Sequence, residues 1–322
     1  MRSRSVSLTG ATGFVGWHIA EALRDAGWSV RAIVRPRTTR PLPPGVDRFE
    51  ADLLPSSVLE QAVTGSDLVI HCAGVIRARD YASFADVNVN GTRAVVEAAN
   101  ATGARLILVS SLAAGGSGTA ARPRREVDLP QPVNAYGQSK LAGEEVVRQL
   151  AIVPWTILRP SAVYGPRDQG FLPLFRMAKH GLFLLAAPAT TPFTLVDVRD
   201  LARAACLAAD AERAIGQTLF VGHPQPHTTD DILRTLAGIF GREYRALRLP
   251  RPAVHLAAAI GDLAWRSGRQ FIFDSGRLAE FEAEGFVCAV DRARDVLGFT
   301  ASSALADGFA GAAAWYRREG WL

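Results

Sequence analysis

From its first residues the chain alternates between short apolar runs and stretches with apolar residues at three- and four-residue spacing. Val6-Ser7-Leu8 reads as a buried strand, and Trp17-His18-Ile19-Ala20-Glu21-Ala22-Leu23-Arg24 as a helix. Further strands are expected at Ser29–Val34, Arg48–Leu53, Asp67–Gly74, Arg105–Ser111 and Trp155–Pro160. Between them fall helices over Ser56–Val63, roughly Ser83–Thr102, and from a cap at Asn134 to about Leu150. Strand–helix alternation with short links implies right-handed crossovers. The expected fold is therefore α/β, with a doubly wound parallel (Rossmann) sheet.

The link between the first strand and helix is Thr9-Gly10-Ala11-Thr12-Gly13-Phe14-Val15-Gly16. A strand, a glycine turn and a helix N-terminus make an anion site, because unpaired backbone N–H groups and the positive end of the helix dipole converge there. Gly10 suits a tight turn, Gly13 close approach to a pyrophosphate, and Gly16 close helix-on-strand packing. The second strand ends at Arg35, with Arg37 and Arg40 behind it and no carboxylate before Asp47. An acidic residue there would bond a ribose 2′-hydroxyl, whereas arginine accommodates a 2′-phosphate, so NADP is favoured with NAD as the alternative. Ala73-Gly74 ends the fourth strand in a small-residue turn where a cofactor would lie. His71 and Cys72, inside that apolar strand, read as packed residues.

Beyond Tyr164-Gly165-Pro166 the pattern changes. Stretches 171–187 and 224–322 are mostly helical and irregular, while 193–209 and 217–222 look like a return to the sheet. The expected organisation is a dinucleotide-binding domain over 1–165, its sheet completed by 193–222, and a smaller, mostly helical substrate lobe from 166–192 and 223–322. The Gly/Ser/Arg-rich segment Ala114–Arg125 reads as a flexible loop able to close over a substrate.

Composition narrows the picture little. The chain has 322 residues, 48% hydrophobic and 21% charged, so it can bury a full core. Its net charge of +5 is carried by arginine, with Lys140 and Lys179 the only lysines. No basic helix or aromatic-interleaved basic run suggests nucleic acid. Cys72, Cys206 and Cys288 are far apart and lack metal-ligand spacing, which implies a reducing, cytoplasmic setting without disulfides or a metal. No signal peptide and no membrane span are expected; Phe183–Ala187 and Ala253–Trp265 are apolar but short, and read as core or pocket wall.

Tyr136 and Lys140 stand at i and i+4, on one face of a helix. A tyrosine is a poor base at its reference pKa of about 10, and lowering that by about 3 units takes roughly 4 kcal/mol. Lys140 and a cationic nicotinamide would both favour the phenolate. Ser111, ending the fifth strand, would bond the substrate oxygen beside the tyrosine. Together they suit proton transfer next to a bound nicotinamide, as hydride transfer to or from a carbonyl requires.

These features resemble the extended short-chain dehydrogenase/reductases: the glycine turn, Asp52-Leu53, Asn88-Val89-Asn90-Gly91-Thr92, Ser110-Ser111, Tyr136 to Lys140, and Leu158-Arg159-Pro160 to Tyr164-Gly165-Pro166. The likeness covers about residues 5–210, and the Arg317-Arg318-Glu319-Gly320-Trp321 ending is similar to the group as well. It implies Ser111, Tyr136 and Lys140 as a catalytic triad supported by Asn88. Asp52 and Leu53 would face adenine, and the backbone after Pro160 the nicotinamide. Sugar-nucleotide dehydratases of this superfamily follow the catalytic hydroxyl with Asp-Glu, and many epimerases show Val-Tyr-Gly shortly after the serine; here Leu112-Ala113-Ala114 and Ala-Gly-Gly stand instead. Phe171–Phe175 and Leu182–Ala187 are expected to form an apolar wall. The chain is thus most similar to the dihydroflavonol reductase and 3β-hydroxysteroid dehydrogenase branch. The expectation is an alcohol–ketone oxidoreductase for a small apolar, aromatic or steroid-like substrate, with a cofactor-retaining nucleotide-sugar epimerase as the alternative and homodimer assembly left open.

Overall fold

The computed structural model describes residues 4–54, 56–186, 188–266 and 273–322; Ala187, the end of the expected apolar wall, lies outside them. The chain begins with β1 (Ser5–Thr9), α1 (Phe14–Asp25), β2 (Ser29–Val34), β3 (Asp47–Glu50), α2 (Ser56–Val63) and β4 (Leu68–His71). Then follow α3 (Tyr81–Ala85), a π turn (Asp86–Asn90), α4 (Gly91–Thr102), β5 (Arg105–Val109), α5 (Leu112–Gly115), α6 (Ala135–Leu150) and β6 (Trp155–Pro160). The helix expected over Ser83–Thr102 is therefore one helical run interrupted by the π turn.

Beyond β6 lie β7 (Ala162–Tyr164), α7 (Leu172–Ala178), β8 (Leu182–Leu185), β9 (Pro192–Phe193), β10 (Leu195–Asp197), α8 (Val198–Asp210) and β11 (Gln217–Val221). The chain closes with β12 (His227–Thr228), α9 (Thr229–Ile239), β13 (Arg245–Arg248), α10 (Arg251–Arg266), α11 (Ser275–Glu282), α12 (Asp291–Leu297) and α13 (Leu305–Arg318).

Seven strands form one parallel sheet in the order β11-β6-β5-β4-β1-β2-β3. Strand order reverses at β1, between β2 and β4, which opens a crevice beyond the carboxyl ends of the strands. Alternate side chains along each strand go to opposite faces. Leu68, Ile70, Ile107 and Val109 pack with α1 and α8, whereas Val69, Leu106 and Leu108 pack with α2, α4 and α6. Both faces are thus covered, which is why these strands read as continuous apolar runs.

The 193–209 stretch does not rejoin this sheet. β9 pairs antiparallel with β12, β10 pairs parallel with β7, and α8 lies against α1; only β11 enters the main sheet, beside β6. The expected apolar wall is also elsewhere. Phe175 and Phe183 are fully buried, in a second core with Tyr164, Leu236, Phe309 and Tyr316. An apolar run signals burial but not its partner, and here the partners are α9 and α13. The Ala114–Arg125 segment is pinned by hydrogen bonds. Gly118 and Val287 exchange neighbours through Gly118 N to Gly285 O (3.1 Å) and Val287 N to Gly118 O (3.0 Å), and Arg124 N donates to Val287 O at 2.8 Å. This segment is stitched to the chain after α11 and is no free flap.

Candidate active site

Gly10, Thr12, Gly13, Phe14, Val15, Gly16, Arg35, Asp52, Leu53, Ala73, Gly74, Ser111 and Pro160 all fall at or just beyond the carboxyl ends of β1 to β6. Gly10 has φ of +81°, and a Cβ there would lie 2.7 Å from the Ala73 nitrogen. A Cβ on Gly16 would overlap the Gly10 carbonyl. Gly13 has looser surroundings: its added Cβ would meet only the Gly10 oxygen, at 3.2 Å. Gly13 caps α1 without any side-chain hydrogen bond, which leaves the helix N-terminus open to an anion. This cradle fits a dinucleotide pyrophosphate. Arg35 is exposed past the end of β2, Asp52 is exposed past β3, and Leu53 is half-buried with its methyl near Gly91 of α4.

Beneath the crevice runs a polar ladder that the sequence did not show. His71 hydrogen-bonds Thr9 Oγ1 through Nδ1 (2.7 Å) and Thr92 Oγ1 through Nε2 (3.1 Å), and Thr92 donates to Asn88 O at 2.7 Å. Burial, with the charge of Lys140, pushes the His71 pKa down to about 3, so the ring stays neutral. The expectation that His71 is a packed residue therefore stands, with both nitrogens bonded.

Asn88 sits in the π turn, a distortion often found where a side chain must be re-aimed. Its amide clamps the Val75 backbone, accepting from Val75 N and donating to Val75 O at 2.9 Å each, and donates to Ser139 Oγ at 2.9 Å. Ser139 in turn donates to Tyr136 O at 2.7 Å. Two glycines let α6 approach closely. A Cβ on Gly137 would overlap Ala113 O, and one on Gly143 would sit 2.5 Å from Asn88 O.

That approach brings Tyr136 near Ser111, whose hydroxyl accepts from Ala113 N at 3.1 Å. Burial pushes the Tyr136 pKa up to about 12, outweighing the lowering by the nearby Ser111 hydroxyl, and Glu280 adds to the rise. The depression expected from Lys140 is therefore not a property of the protein alone. The Lys140 ammonium donates instead to Val109 O at 2.8 Å, close to Gly74 and Asn88, and burial holds its pKa below the ordinary lysine value. One helical turn further on, Glu144 anchors the same face of α6: Arg159 donates to it at 2.8 and 2.7 Å and Ser110 at 2.5 Å. A Tyr-x-x-x-Lys-x-x-x-Glu stripe is visible in the sequence, but the partner arginine on β6 is not.

A cavity of about 430 Å³ opens on Tyr136, within the range of small-molecule sites. Ile76, Phe84, Val133 and Trp265 give it apolar and aromatic wall, and Arg77, Asp274, Arg277 and Glu280 give it charge. Burial and the neighbouring Arg277 hold the Arg77 pKa down, while burial pushes Glu280 up despite Arg277 and a 2.9 Å bond from Asn134. Arg77 Nε and Trp265 Nε1 are buried donors without a partner among the described residues. None of these side chains was named as a binding residue from sequence, although Trp265 ends a stretch read as core or pocket wall; Arg277 and Glu280 of α11 lie more than a hundred positions from Tyr136 and carry no motif.

The sequence model of the NAD dependent epimerase/dehydratase family matches residues 6–222. Over its length the chain is 35% identical to a ceramide reductase of Caulobacter vibrioides, covering 98% of this chain and 96% of that protein. It is 29% identical to a 4-hydroxy-2-methyl-3-oxo-4-farnesyl-3,4-dihydroquinoline-1-oxide ketoreductase of Stigmatella aurantiaca, over 81% and 80% of the two chains. Among solved structures, MoeE5 in complex with UDP-glucuronic acid and NAD superposes with a TM-score of 0.77 at 26% identity, covering 98% and 99%. The fold, the glycine cradle and these likenesses agree: the chain belongs to the NAD dependent epimerase/dehydratase family and is an NAD(P)-dependent enzyme of the extended short-chain dehydrogenase/reductase type.

Proposed function

We propose that the protein reduces a ketone on a hydrophobic, lipid-like substrate, with Tyr136 as the proton donor. The observation that carries this reading is the placement of Tyr136, near Ser111 just past the end of β5, in the wall of a cavity lined by Phe84 and Trp265. The bound nicotinamide cofactor supplies the hydride. Tyr136 protonates the developing alkoxide, Ser111 holds the substrate oxygen beside it, and Lys140 keeps positive charge near both while Asn88 fixes the Val75 turn and the start of α6. The glycine cradle from Gly10 to Gly16 would hold the pyrophosphate, Asp52 and Leu53 the adenosine, and the backbone after Pro160 the nicotinamide. Arg35, with no carboxylate at its position, supports NADP over NAD.

Arg77 Nε and Trp265 Nε1, without partners among the described residues, suit a substrate acceptor such as an amide or hydroxyl oxygen next to an acyl chain, and a full-length relative is named a ceramide reductase. Ketone forms of ceramide-type lipids are the substrate class this favours. A nucleotide-sugar epimerase is the second reading, favoured by the Arg77–Arg277 pair near Tyr136 and by neighbours that bind UDP-sugars. Against it, Asp274 and Glu280 already balance those charges. In the same reading residues 1–165 with 193–222 bind cofactor, and 166–192 with 223–322 bind substrate. The three free cysteines support a reducing, cytoplasmic setting, and homodimer assembly stays part of the proposal. Initial rates with NADPH or NADH against a panel of lipid ketones, small hydrophobic ketones and UDP-sugars test it. Turnover of lipid ketones supports the reading, and activity confined to UDP-sugars overturns it.

A further inference from the structure

Helix α10 is apolar on its outer side as well as on its inner one. Val254 and Ala258 are buried, but Leu256, Ile260 and Leu263 are more than half exposed. With Pro252, Ala253 and Ala259, also exposed, they fill an arc of about 120° at 100° per residue, unbroken by any charge. His255 and Asp262 stand on one flank, engaged with Glu282 at 3.1 Å and with Ser275 at 3.1 Å. Leu249 and Pro250 alone separate α10 from β13, which pairs with β8 so that Leu184 and Leu247 are partners. Leu182, Leu184 and Leu247 of that pair are again about half exposed. Of thirteen large hydrophobic residues exposed among the described residues, six therefore fall on α10 and the β8–β13 pair. Scattered exposed apolar side chains are ordinary, but a concentrated patch marks an interaction surface. The expectation that Ala253–Trp265 is core or pocket wall holds for its inner side only.

The same stretch is rich in cations. Arg242, Arg245, Arg248 and Arg251 are all exposed within ten residues, against a single acid, Glu243, which pairs with Arg245 at 3.2 Å. No described helix is long and apolar enough to cross a membrane. An amphipathic helix of 16 residues with an apolar face and flanking arginines fits the plane of a bilayer instead. The inner side of α10 supplies Asp262 and Trp265 to the cavity at Tyr136, and exposed Ile76 and Tyr81 stand at the same cavity.

We propose that the outer face of α10, with the β8–β13 pair, docks the protein on an anionic lipid bilayer. The apolar stripe enters the headgroup–acyl boundary and the arginines meet anionic headgroups. The cavity then lies directly behind the docked helix. Docking is readable without substrate, so its test is independent of the reaction proposed above.

The test is co-sedimentation of the full chain with vesicles of phosphatidylcholine and phosphatidylglycerol, and with phosphatidylcholine alone. The protein is expected to pellet with the anionic vesicles and to be released progressively by salt. Leu256→Glu with Leu263→Glu should weaken that partition by about tenfold or more. Both sites are exposed, and unchanged circular dichroism and NADPH binding check the fold. Arg245→Glu with Arg248→Glu should abolish the preference for anionic vesicles. A wild-type protein that stays in the supernatant, or leucine variants that bind as well as wild type, would overturn the proposal. So would a solution dimer that the leucine variants split without any vesicle binding, since a second copy would then cover the face.

Discussion

Arg159 grips Glu144 through two hydrogen bonds, Nε to Oε1 at 2.8 Å and Nη2 to Oε2 at 2.7 Å, with both side chains sealed from solvent. Glu144 stands one turn beyond Lys140 on α6, so this pair locks α6 to β6. Burial raises the Glu144 carboxyl, but the bonds and charge of Arg159, with Ser110 and Arg148, outweigh it and hold the pKa below the ordinary glutamate value.

Removing that carboxylate leaves Arg159 buried and unpaired. Glu144→Gln should cost about 3–5 kcal/mol in denaturant unfolding at pH 7. Because the folded pKa is depressed, this contribution is fully present above the unfolded value of about 4.3 and drains as pH falls below it. The gap between wild type and variant should therefore narrow below about pH 4.3. An equal gap at pH 7 and pH 3.5 would contradict the assignment.

The three glycines of the first turn should separate by role. Gly10→Ala and Gly16→Ala meet backbone atoms of Ala73 and Gly10 and should lower the yield of folded protein. Gly13→Ala has only the Gly10 oxygen to move and should fold, while weakening cofactor binding. Thermal melts with and without NADPH distinguish these; a Gly13→Ala protein that binds cofactor as wild type would remove Gly13 from the anion site.

Local patterns made these parts legible. The strand spacing, the glycine turn and the Tyr136–Lys140 pair each lie within one element, where apolar period and turn chemistry act over a few residues. What stayed hidden depends on which elements meet. Phe175 and Phe183 announced burial, but not that α9 and α13 would cover them. The pairing of Ala114–Arg125 with 285–289 could not be read from a Gly/Ser-rich composition. Trp265 and Arg277 reach the cavity at Tyr136 only through the docking of α10 and α11. The exposed stripe on α10 looks in sequence like any core-facing helix.

Tyr136→Phe should keep folding and cofactor binding while removing most turnover, because it deletes only the hydroxyl. Lys140→Ala should damage both, since it strips the charge and the bond to Val109 O from beside Gly74 and Asn88. Cofactor fluorescence titration alongside initial rates checks the pair. Near-normal turnover in the tyrosine variant would end the proposed proton path.

Arg35→Asp should move cofactor preference from NADP(H) toward NAD(H), by replacing a phosphate partner with a ribose-hydroxyl partner. Dissociation constants for both cofactors on both proteins measure the switch. A wild-type protein that already binds NADH more tightly than NADPH would contradict the role given to Arg35.

The proposed reaction is a net reduction in which cofactor and product leave the enzyme. An epimerase needs Tyr136 and Lys140 equally, so their loss cannot separate the two reactions, whereas the fate of the cofactor does. The deciding measurement is NADPH consumed against product formed, followed together by absorbance and mass spectrometry with a ceramide-type ketone as substrate. Reduction predicts that NADPH falls in step with the alcohol that appears, over many turnovers. Interconversion of UDP-sugars by tightly held cofactor, with no net change in NADPH and no reduction of lipid ketones, would contradict it.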